Sequence, residues 1–120
     1  MKTFEEGYVY RLASKEEWEA AQSGGTLPWN ADDERDGFFH LSGPDQVQET
    51  ARRHYGEALG LLALALREAD LGKDLKWEAS HGGERFPHYY GEVKADRVAG
   101  VLRLTRGMGN NFLVVGDLAK

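Results

Sequence analysis

Leu59-Gly60-Leu61-Leu62-Ala63-Leu64-Ala65-Leu66 is the stretch on which the fold turns. Leucine and alanine favour helix, but the run is short and has glycines around it, which suits a strand buried on both faces. We read it as a strand. The segments before and after it then sort into two kinds.

Upstream, Tyr8 to Leu12 alternates and is rich in strand formers, so Tyr8, Tyr10 and Leu12 are expected on one face and Val9 and Arg11 on the other. Ser14 followed by Glu17 matches a capping box, predicting a helix to about Gln22 that buries Trp18 and Ala21 and stops at Gly24-Gly25. From Thr26 to Arg35 there is no periodicity, and proline, asparagine and acidic residues point to a surface loop. Phe38 to Leu41 resumes strand character, with Phe38 and His40 on one face and Phe39 and Leu41 on the other. Ser42 or Asp45 then caps a helix with Pro44 in its first turn, and Val47, Ala51 and His54 or Tyr55 follow at helical spacing.

Downstream, Asp74 to Ala79 reads as a strand with Leu75 and Trp77 inward and Lys76 and Glu78 on the opposite face. His81 to Arg85 is a loop, Lys94 to Val98 one helical turn, and Val98 to Thr105 a strand. A turn at Gly107 to Asn111 returns Phe112 to Val115 as the last strand. Helices come early and strands mostly late, which gives an α+β fold. The chain shows no internal repeat or low-complexity segment.

Composition narrows the function classes. A chain of 120 residues, 41% hydrophobic, is the size of one domain, taken as residues 1–120. The longest apolar run falls well short of the ~20 residues a transmembrane helix needs, and the N-terminus lacks the apolar stretch of a signal peptide. With no cysteine, disulfides and thiolate zinc sites are excluded. A cytoplasmic protein with no membrane association is the plain expectation. The net charge of −5 argues against a protein whose main work is gripping a phosphate backbone, so nucleic acid is not an expected partner. Arg52-Arg53-His54 and the Arg103 and Arg106 pair are read as solvated side chains.

Two histidines sit in contexts that suggest a site. His40 lies on a strand beside Phe38 and Phe39, and burial there would lower its pKa and keep it neutral near pH 7. A neutral imidazole can orient a sugar hydroxyl or act as a general base; equally, it can be a core histidine bonded to a backbone carbonyl. His88 follows Pro87, which stiffens the segment, and Tyr89, Tyr90 and Gly91 add stacking groups and a place for close backbone approach. The same residues would also suit a loop anchored by aromatic packing. Glu78, beside Trp77, is a directional carboxylate that could stabilise a developing positive charge, or simply part of an exposed charged face. His54 and His81 read as surface residues. No phosphate loop, zinc-protease pair or nucleophile elbow is present, and no spacing demands a metal.

Asp36-Gly37-Phe38-Phe39-His40-Leu41-Ser42, then Gln46-Val47 and Thr50, then Lys76-Trp77-Glu78, then Phe86-Pro87-His88-Tyr89-Tyr90-Gly91 resemble, in order and spacing, a small bacterial family, domain of unknown function 952. The resemblance covers nearly the whole chain, with Phe39 and Tyr89 standing where the family more often has isoleucine and leucine. It implies an ADP-ribosylation-like fold: two small bent sheets forming a cleft, with flanking helices. It also implies a cleft for NAD or an ADP-ribose-containing ligand, with NAD as substrate or ligand. His40, Glu78 and His88 are the implied catalytic residues, and Phe38, Ser42, Tyr90 and Arg11 the implied ligand contacts. The alternative is a module that holds a small sugar or nucleotide without catalysis.

Overall fold

The computed structural model describes residues 3–109 and 111–117, without the side chain of His81. The expectation for that side chain, and Asn110 of the expected turn, lie outside the described residues. The leucine and alanine run is a strand, β3 (Gly60–Arg67), at the centre of the molecule. It is flanked by β1 (Tyr8–Ala13) and by β6 (Val98–Arg106), and β7 (Phe112–Asp117) completes an antiparallel sheet in the order β1-β3-β6-β7. Both faces of β3 are covered, which explains why its sequence does not alternate. Leu62, Leu64 and Leu66 enter one apolar cluster and Leu61, Ala63 and Ala65 the other.

Each cluster has its own cover. Val47 and Ala51 of α3 (Val47–Tyr55) join Tyr10, Leu12, Leu102, Leu104 and Phe112 on one face of the sheet. On the other face, Val9 and Leu64 meet Trp18 and Ala21 of α1 (Lys15–Gly24), Phe39 of a second sheet and Leu41 just after it. That sheet has three antiparallel strands in the order β2-β5-β4: β2 (Phe39–His40), β5 (Arg85–Tyr89) and β4 (Leu75–Ala79). A short bridge between Tyr10 and Ser42 ties the two sheets together. The fold is α+β, built on two antiparallel sheets, and among the described residues no helix is long and apolar enough to cross a membrane.

The alternation expected for β1 holds, and so does the capping box. Ser14 Oγ accepts from the Glu17 N–H at 3.0 Å, and Glu17 Oε1 accepts from the Ser14 N–H at 2.8 Å. Three expectations are corrected. The segment read as loop contains a helix, α2 (Ala31–Asp36), opened by a second capping box in which Asn30 Oδ1 accepts from Asp33 N–H and Asp33 Oδ2 accepts from Asn30 N–H. Neither Ser42 nor Asp45 caps α3. That helix starts at Val47 with Gln46 at its cap, because Ser42 is held in the bridge to Tyr10 and Gln46 turns its Oε1 back onto the Gly43 N–H at 2.8 Å. Trp77 does not enter the core. It lies on an edge strand, 38% exposed, with its indole N–H donating to Glu68 at 2.9 Å. A Cβ at residue 43 would stand 2.8 Å from the Trp77 ring, so glycine there is what lets the indole lie down.

Candidate functional site

The three-stranded sheet has one face in the core and one turned away from it. Phe39, Tyr89 and Leu75 stand at one rung of β2, β5 and β4 and face inward. One residue along, the side chains reverse, and the next rung aligns His40, His88 and Lys76 across the same three strands. Phe38, Glu78 and Tyr90 join them: the Phe38 ring stacks on His88 at 3.9 Å and 19°, and lies 4.6 Å from His40 and 5.5 Å from Tyr90. The two imidazoles are 5.8 Å apart, centroid to centroid.

His40 is held by α2. Gly37 ends that helix at φ 82°, a left-handed conformation that glycine adopts without strain, and turns the chain straight into β2. The turn folds β2 back onto the helix, where His40 Nδ1 meets Asp33 Oδ1 at 2.6 Å and Nε2 meets Asp36 Oδ2 at 3.0 Å. Asp33 is wholly buried and receives more than the imidazole. Arg11 donates to its two oxygens at 3.2 and 2.7 Å, and the His40 N–H donates to Oδ1 at 3.0 Å. Arg11 also donates to the His40 carbonyl at 3.0 Å, with its guanidinium 4.1 Å over the Phe39 ring. Burial alone would raise the pKa of Asp33. Hydrogen bonds from His40, Arg11 and the Asn30 N–H, together with the Arg11 charge, override it and hold the carboxyl well below the usual carboxylate range.

The expectation of a neutral His40 is therefore corrected. Its hydrogen bond to Asp33 raises its pKa above the ordinary 6.5; burial opposes this, and the Asp33 and Asp36 charges add to it. A ring with a carboxylate at each nitrogen must donate from both, which is the imidazolium form. Desolvation was overestimated because Phe39, though adjacent in sequence, points to the other face. A rise in folded-state pKa means the stabilisation is fully present below the unfolded value and is lost as pH rises through the folded one. Nitrogen-15 NMR of the imidazole should show His40 protonated at a pH where a free histidine has titrated, and urea midpoints should fall as pH rises beyond 6.5. The charged groups bearing on this titration are Asp33 and Asp36. An Nδ1–Nε2 pattern of a neutral ring at pH 6.5 would overturn the assignment.

His88 has a different partner. Its Nδ1 meets Glu78 Oε1 at 2.9 Å, and the same oxygen accepts from the Tyr90 hydroxyl at 2.7 Å. The carboxylate fixes the Nδ1–H tautomer in the neutral ring, leaving Nε2 as the basic nitrogen, with no hydrogen-bond partner among the described residues. The hydrogen bonds from Tyr90 and His88 lower the Glu78 pKa, and Glu78 in turn raises that of Tyr90. Lys76 lies 5.2 Å from the Tyr90 ring.

Phe38, His40, Glu78, His88 and Tyr90 thus converge on one face. Ser42 and Arg11 do not. Ser42 is buried with its hydroxyl on Thr50 at 3.2 Å, and Arg11 stands behind His40, separated from the open face by Asp33. Both support the site rather than line it. Asp33 and Asp36 are the contributors that the sequence reading missed; the Asn30 to Asp33 spacing of a capping box was the available signal. His54 is exposed on α3, and the neighbouring Arg52 and Arg53 pair with Glu49. A groove of about 570 Å³, lined by Thr26, Leu27, Pro28, Trp29, Glu34, Gly91 and Glu92, begins one residue beyond Tyr90. Among the described residues no group of His, Cys, Asp and Glu is arranged to hold a metal ion.

Solved structures resemble this one closely. The crystal structure of protein CC0527 from Caulobacter crescentus is 40% identical and superposes with a TM-score of 0.80, covering 88% of this chain and 93% of that one. The solution NMR structure of the same protein, also 40% identical, gives 0.77 over 88% and 90%. No curated protein matches the chain. A family model described as a protein of unknown function, DUF952, matches residues 12–101, which include β2, β4 and β5 and with them every residue of the histidine face. The chain belongs to the DUF952 family.

Proposed function

We propose that the histidine face receives NAD or an ADP-ribose-containing ligand and that the two sheets form an ADP-ribosylation-like fold around it. The observation that carries this reading is the placement of Glu78. Its carboxylate is 39% exposed and ionised, with one oxygen held by His88 and Tyr90 and flanked by the stacked Phe38 and His88 rings. A fixed negative charge beside stacking rings suits a ribose C1′ that becomes cationic as a glycosidic bond loosens. The His40 imidazolium, also on this face, can exchange its surface partner Asp36 at Nε2 for a ribose hydroxyl or phosphate oxygen, to which it is a charge-assisted donor. In that arrangement Phe38 and Tyr90 are the stacking groups and Glu78 the oxocarbenium stabiliser.

Calorimetry with NAD and with ADP-ribose tests it. The expected result is saturable heat, with chemical-shift changes at the His40 and His88 rings. No heat and no shift up to millimolar ligand would rule it out. The groove beside Tyr90, with Trp29 and Pro28 in its wall, favours a second reading: a non-catalytic module for a small sugar or nucleotide. Turnover separates the two, since a His40→Ala variant that binds ligand but forms no product marks an enzyme.

A further inference from the structure

Beyond that reading, we propose that the row His40, His88 and Lys76 hydrolyses nucleoside 2′,3′-cyclic phosphates, with His88 as general base, His40 as general acid and Lys76 as the cation for the phosphorane oxygens. The row is a single rung of the three-stranded sheet, so strand pairing, not a loop, sets its spacing. The two ring centroids stand 5.8 Å apart at 64° to each other, close enough for both imidazoles to address one phosphate group. Each Nδ1 is committed to a carboxylate, Asp33 for His40 and Glu78 for His88; the Nε2 of His88 has no hydrogen-bond partner among the described residues, and that of His40 is held only by the surface carboxylate of Asp36.

The two rings are set for opposite tasks. Carboxylates at both nitrogens make His40 a donor from each, while His88 has a carboxylate at Nδ1 alone and no hydrogen-bond partner at Nε2 among the described residues. Asp36, on the surface and bonded to His40 Nε2 at 3.0 Å, already puts an anionic oxygen where a leaving oxygen would sit, and the substrate would take its place. In the reaction, His88 Nε2 accepts a proton from water as the water oxygen bonds to phosphorus. The P–O2′ bond breaks, and O2′ takes the proton from His40 Nε2, giving the nucleoside 3′-phosphate. Proton exchange with solvent then restores both rings. A strained five-membered cyclic ester is the phosphodiester that side-chain acid and base can open, and Phe38 and Tyr90 provide rings for its base to stack on.

Phosphorus NMR of 2′,3′-cyclic AMP with the full chain in EDTA-containing buffer is the test. The native protein is expected to convert the cyclic ester to monoester; His88→Gln should slow this about 100-fold or more, and Lys76→Met about 10-fold or more. Lys76 is exposed, so its replacement reads the reaction and not the fold. No monoester from the native protein, or a native rate in either variant, would overturn the proposal. The assay contains no NAD, so its outcome is independent of the calorimetry above.

Discussion

Asp33→Ala is expected to destabilise the protein by about 3–5 kcal/mol, the usual cost of stranding one member of a buried ion pair. Arg11 is 6% exposed, and without Asp33 its guanidinium keeps the His40 carbonyl but loses the carboxylate it pairs with, while the Asn30 and His40 N–H groups lose an acceptor each. For a chain of this size that is a fall in Tm of roughly 10–20 °C. The charge is costly mainly because it is left unpaired, so replacing both partners should recover much of the loss: Arg11→Met with Asp33→Ala is expected to be more stable than Asp33→Ala alone. Urea unfolding of the four proteins closes the cycle. Near additivity would show that the pair is uncoupled and would refute this account. The same substitution removes the largest cause of the raised His40 pKa, which should drop toward 6.5 in the single variant if it remains folded.

Asp33 also marks the limit of what the chain discloses. Its neighbours in sequence, Asp32, Glu34 and Arg35, are all charged, and a six-residue helix without an apolar stripe has no periodicity to read. What buries Asp33 is Arg11, on β1 and 22 residues away, and no local pattern records such a pairing. The strands were legible where one rule governed them: alternation for β1, a continuous apolar run for β3. The α1 start was legible because a serine and a glutamate at the right spacing satisfy backbone groups that every helix start exposes. The direction of His40 followed from strand geometry, since Phe39 and His40 must point opposite ways. Its charge did not, because that depends on two carboxylates presented by a helix read as loop. Gln46 shows the same limit, as its amide reaches the Arg85 carbonyl at 2.6 Å across 39 residues and thereby ties the α3 start to β5.

Glu78→Gln should behave in the opposite way to Asp33→Ala, with little effect on the fold and a large one on chemistry. Glu78 is 39% exposed, and solvent screens its pairing with His88, so losing its charge should leave the urea midpoint close to that of the native protein. A glutamine carbonyl can still accept from His88 Nδ1 and from the Tyr90 hydroxyl, so the rings should stay where they are. What disappears is the negative charge. If Glu78 stabilises an oxocarbenium-like centre, NAD turnover should fall by about 100–1,000-fold with ligand affinity nearly unchanged, the pattern for an interaction made chiefly in the transition state. Because Tyr90 and His88 lower the Glu78 pKa, the carboxylate is ionised down to more acidic pH than a free glutamate, and the acid limb of activity should lie correspondingly low. The stability contribution has the same sign: it is present above the unfolded pKa and is lost as pH falls through the folded one. A Glu78→Gln protein that turns over NAD at the native rate would assign this carboxylate to positioning His88 and nothing more. The two carboxylate–histidine pairs are thus separable by burial: replacing Asp33, buried against Arg11, should be read in the fold, and replacing Glu78, open to solvent, in whatever chemistry the face performs.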